Sequence, residues 1–351
     1  MKKLRVLIVD DSPVVQAVLS RILSAEPDIE VVGRASDPFE AKRWIVEETP
    51  DVVTLDVEMP RMDGITFLKR LMAYRPLPVI MISSLTQENS MRTLEALDAG
   101  AVDFVAKPLG DTERSLDTLA REIVSKVRAA GKARVKPSYV RRTDTAPPRS
   151  HAEEMSRRIF RLVAIGASTG GTQAIQRLLS AMHYGTNGIV IVQHMPPRYT
   201  TSFAHRLDNM LPLDVREAED RDRIEKNAVL VAPGGKHMRV VRDGNRLLVR
   251  LDENSPPVHH QRPAVDVLFR SVAENVGRES VGVVLTGMGD DGADGLLAMR
   301  EAGAFTVAQD EPSSVVFGMP RAAVERGAAK KVAPLGDIAD VIYRNTARHT
   351  K

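Results

Sequence analysis

Two successive α/β domains joined by a basic linker are the fold class this sequence predicts, and three observations predict it. Short apolar runs alternate with amphipathic stretches along residues 4–125, and the alternation resumes at Ile159. Between these regions, over residues 126–158, the pattern dissolves. The length of 351 residues suits two domains better than one or three.

In the first region, Val6–Val9, Val31–Gly33, Val52–Leu55, Val79–Ile82 and Phe104–Ala106 read as strands. Helical patterns at Val14–Ala25, Pro38–Glu47, Gly64–Tyr74, Ser90–Ala99 and Glu113–Arg128 alternate with them. Strands buried on both faces carry unbroken apolar runs, so a doubly wound parallel sheet is expected over 1–125. Residues 126–158 hold ten Lys/Arg against three Asp/Glu, a balance of +7 in a chain of net +3. The rest of the chain therefore carries −4. The basic character belongs to one Pro-containing segment, read as a mobile linker, and argues against nucleic-acid binding by either folded domain.

The second domain, 159–351, repeats the rhythm. Leu162–Ile165, Gly188–Gln193, Val215–Ala218, Ala228–Ala232, Val281–Thr286 and Ala304–Ala308 read as strands. Met238–Val241 and Leu247–Leu251, around Asp243-Gly244-Asn245, read as an inserted β-hairpin. Helices fit Thr172–Met182, Thr200–Leu211, Pro263–Val276, Gly292–Ala302 and Met319–Glu325.

Composition excludes several classes. With no cysteine there are no disulfides, thiolate metal sites or cysteine nucleophiles. The apolar runs are strand-sized, too short to span a bilayer. The start MKKLRVLIVDDS fails as a signal peptide, because only Val6–Val9 is apolar and two aspartates follow. A cytoplasmic location, with no insertion into membrane, is the expectation.

Chemistry-bearing residues gather at strand ends. Asp10 and Asp11 follow the first strand, Asp56 the third, Ser83 the fourth and Lys107 the fifth. The carboxyl ends of parallel strands form the ligand crevice of such a sheet. Three carboxylates there repel one another and call for a cation, and an oxygen-rich site suits Mg²⁺. A carboxylate beside Mg²⁺ and a lysine can attack a phosphoryl group. One aspartate after a strand is more simply a helix cap, but four strand ends together favour a site.

The segments VDDSPVVQ, LDVEMPRMDG, MISSL and FVAKPL resemble two-component receiver domains over about residues 4–125. The resemblance implies a flavodoxin-like, five-stranded parallel fold, with Asp56 as phospho-acceptor and a histidine kinase as donor. It implies Mg²⁺ held by Asp11, Asp56 and the backbone carbonyl of Glu58, with Asp10 in support. Ser83 and Phe104 match the family's switch hydroxyl and switch aromatic, and Lys107 its lysine. The Lys107–Pro108 bond is cis in that family's pattern.

In the second domain, Gly166-Ala167-Ser168-Thr169-Gly170 satisfies G-x-S-x-G at a strand-to-helix turn. The turn is open to three readings: a nucleophile, an anion cradle or tight packing. His194 follows the second strand, and Asp290 and Asp291 lie in the glycine-rich turn after Val281–Thr286. Ser, His and Asp on three strand ends can assemble a triad. The chain order Ser…His…Asp differs from that of the α/β-hydrolase fold. His194 equally fits a packed or capping role, and either aspartate fits an N-cap of the helix near Gly292. Spacing does not separate Asp290 from Asp291.

The segments GASTGGT, VQHMPP, APGGKHM, HHQRPAVDVLF, LTGMGDDGA and AQDEPSSVVFGMP resemble the chemotaxis-type protein-glutamate methylesterase domain over about 159–345. The resemblance implies a triad of Ser168, His194 and Asp291, with Met288 beside the site and no cofactor in this domain. Backbone N–H groups at Thr169 and Gly170 would hold the oxyanion. The implied reaction is hydrolysis of glutamate methyl esters on chemoreceptor cytoplasmic helices, with glutamine deamidation by the same chemistry. Phosphorylation of Asp56 would control it, most simply by uncovering the Ser168 crevice. His237, His259 and His260 have no spacing that supports a metal cluster, and Trp44 reads as a packing residue. Two rival readings are a DNA-binding regulator, which the lack of a helix-turn-helix pattern in the second domain argues against, and a non-catalytic scaffold, which the intact Ser168, His194 and Asp291 argue against.

Overall fold

A computed structural model describes residues 2–84, 86–107, 116–133, 135, 162–182 and 186–346. The chain divides into two compact units, Met1–Arg142 and Thr143–Lys351.

The first unit runs β1 (Leu4–Val9), α1 (Pro13–Ser24), β2 (Ile29–Ala35), α2 (Pro38–Glu48), β3 (Val52–Asp56), α3 (Gly64–Tyr74), β4 (Val79–Ser83), α4 (Gln87–Asp98), β5 (Asp103–Ala106) and α5 (Leu116–Ala130). The strands form one parallel sheet in the order β2-β1-β3-β4-β5. β3, β4 and β5 are buried along their whole length, as their apolar runs require. The order reverses between β1 and β3, so their carboxyl ends flank the crevice. Helix caps are supplied by other residues than the candidate ligands. Ser12 caps α1, Asp37 caps α2 and Asp63 caps α3, which leaves Asp10, Asp11 and Asp56 for other work.

The boundary placed at 125 falls inside α5, which continues to Ala130. Val127, Ala129 and Ala130 are buried. The basic residues counted as linker are paired here: Lys126 with Asp103 at 3.1 Å and Arg128 with Asp28 at 2.5 Å. Most of the expected linker, 134 and 136–158, lies outside the described residues, as does Pro108 and hence the Lys107–Pro108 bond.

The second unit runs β6 (Leu162–Ala167), α6 (Gly171–Ser180), β7 (Gly188–Gln193), α7 (Tyr199–Met210), β8 (Asp214–Glu217), β9 (Ala228–Val231), β10 (His237–Asp243), β11 (Arg246–Asp252), α8 (Val265–Asn275), β12 (Ser280–Val284), α9 (Ala293–Glu301), β13 (Phe305–Gln309), α10 (Met319–Glu325), β14 (Lys331–Ala333) and α11 (Ile338–Thr346). Seven parallel strands take the order β14-β13-β12-β6-β7-β9-β8. β10 and β11 form the antiparallel hairpin expected around Gly244, whose φ is +57°. One core face joins Leu162, Val190 and Leu230 of the sheet to Met238 and Val249 of the hairpin and Val265, Phe269 and Leu296 of the helices.

β14 and α11 were not anticipated. β14 is a three-residue edge strand whose Lys331 and Val332 are exposed, so it carries no apolar run. Among the described residues no helix is long and apolar enough to cross a membrane.

Candidate functional site

The strand order of the second unit reverses at β6, with β7 on one side and β12 on the other. Ser168 follows β6, His194 follows β7 and Asp291 lies in the turn after β12. All three therefore meet at the switch point, where open α/β sheets place their sites.

Asp291 is the best anchored of the three. Its Oδ2 lies 2.8 Å from His194 Nε2 and accepts the Val265 N–H at 2.7 Å; its Oδ1 accepts the Asp266 N–H at 2.9 Å. Both N–H groups belong to the first turn of α8, whose dipole favours the anion. Burial alone would push the Asp291 carboxyl up. The hydrogen bond and charge of His194, with the two N–H groups, hold it below the usual carboxylate value. The imidazole and the carboxylate are only 7% and 3% exposed, so this pair works in a low-dielectric setting. With Nε2 engaged by Asp291, Nδ1 is the other ring nitrogen. No hydrogen bond joins the Ser168 hydroxyl to His194 among the described residues.

Glycines let the parts close up. A Cβ on Gly166 would lie 2.2 Å from Val265 Cγ1, and one on Gly292 2.6 Å from the same atom. α8 can approach both loops only because neither has a side chain there. A Cβ on Gly287 would lie 2.8 Å from Ser168 Cβ. Ser168 donates its N–H to the Thr286 carbonyl at 3.0 Å, so that N–H is not an oxyanion donor. Thr169 and Gly170, the expected oxyanion donors, lie in the turn into α6. Gly170 has φ +76°, the left-handed conformation this turn needs. Met288 is half-buried beside Gly287.

Neither aspartate caps the helix after them. Gly292 occupies the N-cap of α9 with no side-chain cap bond, and the Asp290 contribution is its backbone carbonyl. Asp290 instead pairs with Arg326 at 2.7 Å and His259 Nδ1 at 3.2 Å. His259 Nε2 in turn meets buried Asp266 at 3.0 Å. His237 is a packing residue: its ring contacts the Pro256 carbonyl and the Ala264 N–H. His259, Asp266 and Asp291 lie close enough to be considered for a metal. Asp291 and Asp266 are already satisfied by N–H and imidazole partners, which leaves a metal no need to fill.

In the first unit, Asp10, Asp11 and Asp56 bring one carboxylate oxygen each within 4.8 Å of one another. Lys107 Nζ donates to Asp56 Oδ2 at 2.7 Å and lies 3.4 Å from Asp10 Oδ2. Burial, then the charge of Asp10, push the Asp56 carboxyl up to about 6 against the pull of Lys107. Burial also raises Asp10, whose Oδ2 has no hydrogen-bond partner. Crowded carboxylates, one of them with an oxygen held only by the 3.4 Å ion pair to Lys107, fit a hard divalent cation. The Glu58 N–H donates to Asp56 Oδ1 at 3.3 Å, and its carboxylate faces Arg92 at 3.8 Å.

Ser83 is buried at the end of β4, and its hydroxyl accepts from Thr93 of α4 at 2.7 Å rather than contacting Asp56. Phe104 is buried; Lys126 Nζ lies 4.9 Å from its ring centre and donates to its carbonyl. Thr93 and Lys126 had no signal in the sequence, since a mid-helix threonine and lysine are ordinary surface choices.

Fold and site together define two α/β units in one chain: a five-stranded one with a carboxylate–lysine cluster, and a seven-stranded one with a histidine–aspartate pair at the strand ends beside the Ser168 turn. Residues 163–342 match the CheB methylesterase family and residues 6–119 the response regulator receiver domain family. The chain belongs to the CheB methylesterase family and carries a receiver domain at its N-terminal end. It is 52% identical over 351 residues to a protein-glutamate methylesterase/protein-glutamine glutaminase of Xanthomonas campestris pv. campestris, covering 98% of each chain. A relative of the same description from Geobacter metallireducens is 50% identical over 343 residues, 95% of this chain and 94% of that one. The crystal structure of the Thermotoga maritima CheB methylesterase catalytic domain is 35% identical, with a TM-score of 0.52, and covers 53% of this chain and 98% of that one.

Proposed function

We propose that this protein hydrolyses methyl esters of glutamate side chains on chemoreceptors, and deamidates receptor glutamines, under control of phosphorylation at Asp56. The observation that carries the reading is the His194–Asp291 hydrogen bond of 2.8 Å at the switch point where Ser168 stands. The family membership and the relatives' names support the substrate class.

Ser168 Oγ attacks the ester carbonyl while His194 takes its proton through Nδ1. Asp291 stabilises the imidazolium that forms. The tetrahedral oxyanion is held by N–H groups at Thr169 and Gly170. His194 then returns the proton to the leaving methoxide, releasing methanol and leaving a glutamyl ester on Ser168. Water, activated by the same imidazole, hydrolyses that ester to free glutamate and restores the serine. With a primary amide the leaving group is ammonia and the steps are the same.

In the receiver, Asp10, Asp11 and Asp56 would hold Mg²⁺, with the Glu58 carbonyl. When bound, the cation neutralises charge on a transferred phosphoryl group. Asp56 is the acceptor, Lys107 pairs with the added charge, and Ser83 and Phe104 are the switch residues that respond to it. A histidine kinase supplies the phosphoryl group.

The test is methanol release from methylated receptor membranes. Ser168→Ala is expected to lower turnover by roughly 10⁴–10⁶ with the fold intact. Activity near wild type would remove Ser168 from the mechanism. Asp56→Asn is expected to keep basal turnover and lose the response to a small phosphodonor.

A further inference from the structure

Gln193 is the last residue of β7 and is buried, 4% exposed. Its Nε2 donates to the Ser168 carbonyl at 3.0 Å and reaches the His194 carbonyl at 3.4 Å. Both partners are acceptors, so the amide must present its NH₂ to them, and its orientation follows. Its own oxygen, Oε1, is then left buried with no hydrogen-bond partner. A Cβ on Gly171 would lie 2.1 Å from Oε1, so the glycine is what gives the amide its seat.

This is a poor device for stability. A buried amide oxygen without a donor is unfavourable. The Ser168 carbonyl already accepts the Gly171 N–H at 2.7 Å and does not need a second donor to be satisfied. The His194 N–H already ties the histidine to the Ala167 carbonyl at 3.2 Å, and the amide adds a side-chain link from the Ser168 carbonyl to the His194 carbonyl. The opposite side of the turn has a brace of its own. Ser168 N–H donates to the Thr286 carbonyl, and the Thr286 N–H donates to Gln309 Oε1 at 2.8 Å. That brace grips Ser168 alone, whereas the Gln193 side chain reaches the carbonyls of both residues.

We propose that Gln193 is a positioning residue for the hydrolytic reaction, setting the placement of Ser168 relative to His194 through their two backbone carbonyls. The inference rests on the reading of Ser168 and His194 as nucleophile and base. Side chains that position without touching substrate affect turnover more than binding.

The experiment uses the full chain and methylated receptor membranes, with kcat and KM from methanol release and the thermal midpoint of each variant. Gln193→Met keeps the length and removes both the donor and the orphaned oxygen. It is expected to lower kcat by about 10–100-fold, with KM within about two-fold of wild type and a thermal midpoint equal to or above it. Gly171→Ala, which displaces the amide, is expected to lower kcat in the wild type and by a smaller factor beside Gln193→Met. Wild-type kcat in Gln193→Met overturns the proposal. So does a kcat loss matched by a fall in thermal midpoint, which marks a structural role. Ser168→Ala run in parallel separates the two claims. If it is inactive while Gln193→Met is normal, the inference fails and the triad stands. If it is active, the triad reading fails and takes the inference with it.

Discussion

Asp290 and Asp291 are adjacent in the chain, yet their carboxylates serve different partners. Asp291 Oδ2 lies 2.8 Å from His194 Nε2, whereas Asp290 Oδ2 accepts from Arg326 at 2.7 Å. Asp291 is buried against the first turn of α8, and Asp290 remains 44% exposed. Asp291→Asn is expected to cut turnover by about 10⁴, because an amide cannot stabilise the imidazolium of His194. Asp290→Asn is expected to cost less than about ten-fold in rate and about 0–1 kcal/mol in stability, as for a half-exposed ion pair. Kinetics of both variants in methanol release decide it; the reverse ranking would assign the triad to the wrong carboxylate.

The seat of the nucleophile depends on Gly287. A Cβ there would lie 2.2 Å from Met319 Sδ and 2.8 Å from Ser168 Cβ. Gly287→Ala is therefore expected to shift the Ser168 turn and lower kcat by about 10²-fold. Measured kcat equal to wild type would mean that Met319 alone gives way.

Asp56 makes the receiver's stability depend on pH. Burial raises its carboxyl from 3.8 to about 6, so the folded chain holds the proton more tightly than the unfolded one. Stability is then greatest below pH 3.8 as far as this group is concerned, and falls as pH rises through the window to about 6. Asp56→Asn is expected to flatten that window and to gain on the order of 3 kcal/mol at pH 7. Thermal melts across pH in the presence of a chelator check this; parallel curves for the two proteins would contradict it.

Mg²⁺ acts on the same repulsion. The crowded carboxylates of Asp10, Asp11 and Asp56 predict that the cation binds the folded receiver and not the unfolded chain. Its thermal midpoint is expected to rise with Mg²⁺ concentration, and Asp11→Asn is expected to abolish most of the rise. A midpoint insensitive to Mg²⁺ would remove the cation from this site.

How much of this was legible in the chain depends on the kind of signal each residue leaves. Ser168, His194, Asp10, Asp56 and Lys107 stand directly after apolar runs, and a parallel sheet brings such positions together whatever the intervening helices do. Gln193 was passed over as the polar end of a strand. Thr93 and Lys126 were hidden in helices whose pattern any polar residue satisfies. β14, with two of its three residues exposed, lacked the apolar run that reveals a strand.

The sequence by itself determined the two α/β units, their strand ends and the residue types gathered there, because periodicity and glycine placement are local properties of the chain. Only the tertiary structure decided which ring nitrogen of His194 meets Asp291, that Asp290 is taken up by Arg326, and that α5 runs on to Ala130. Each was settled by groups far away in sequence: the N–H groups of Val265 and Asp266, the guanidinium of Arg326, and the carboxylates of Asp28 and Asp103. Such pairings depend on distance in space and on burial, and neither can be read from spacing along the chain.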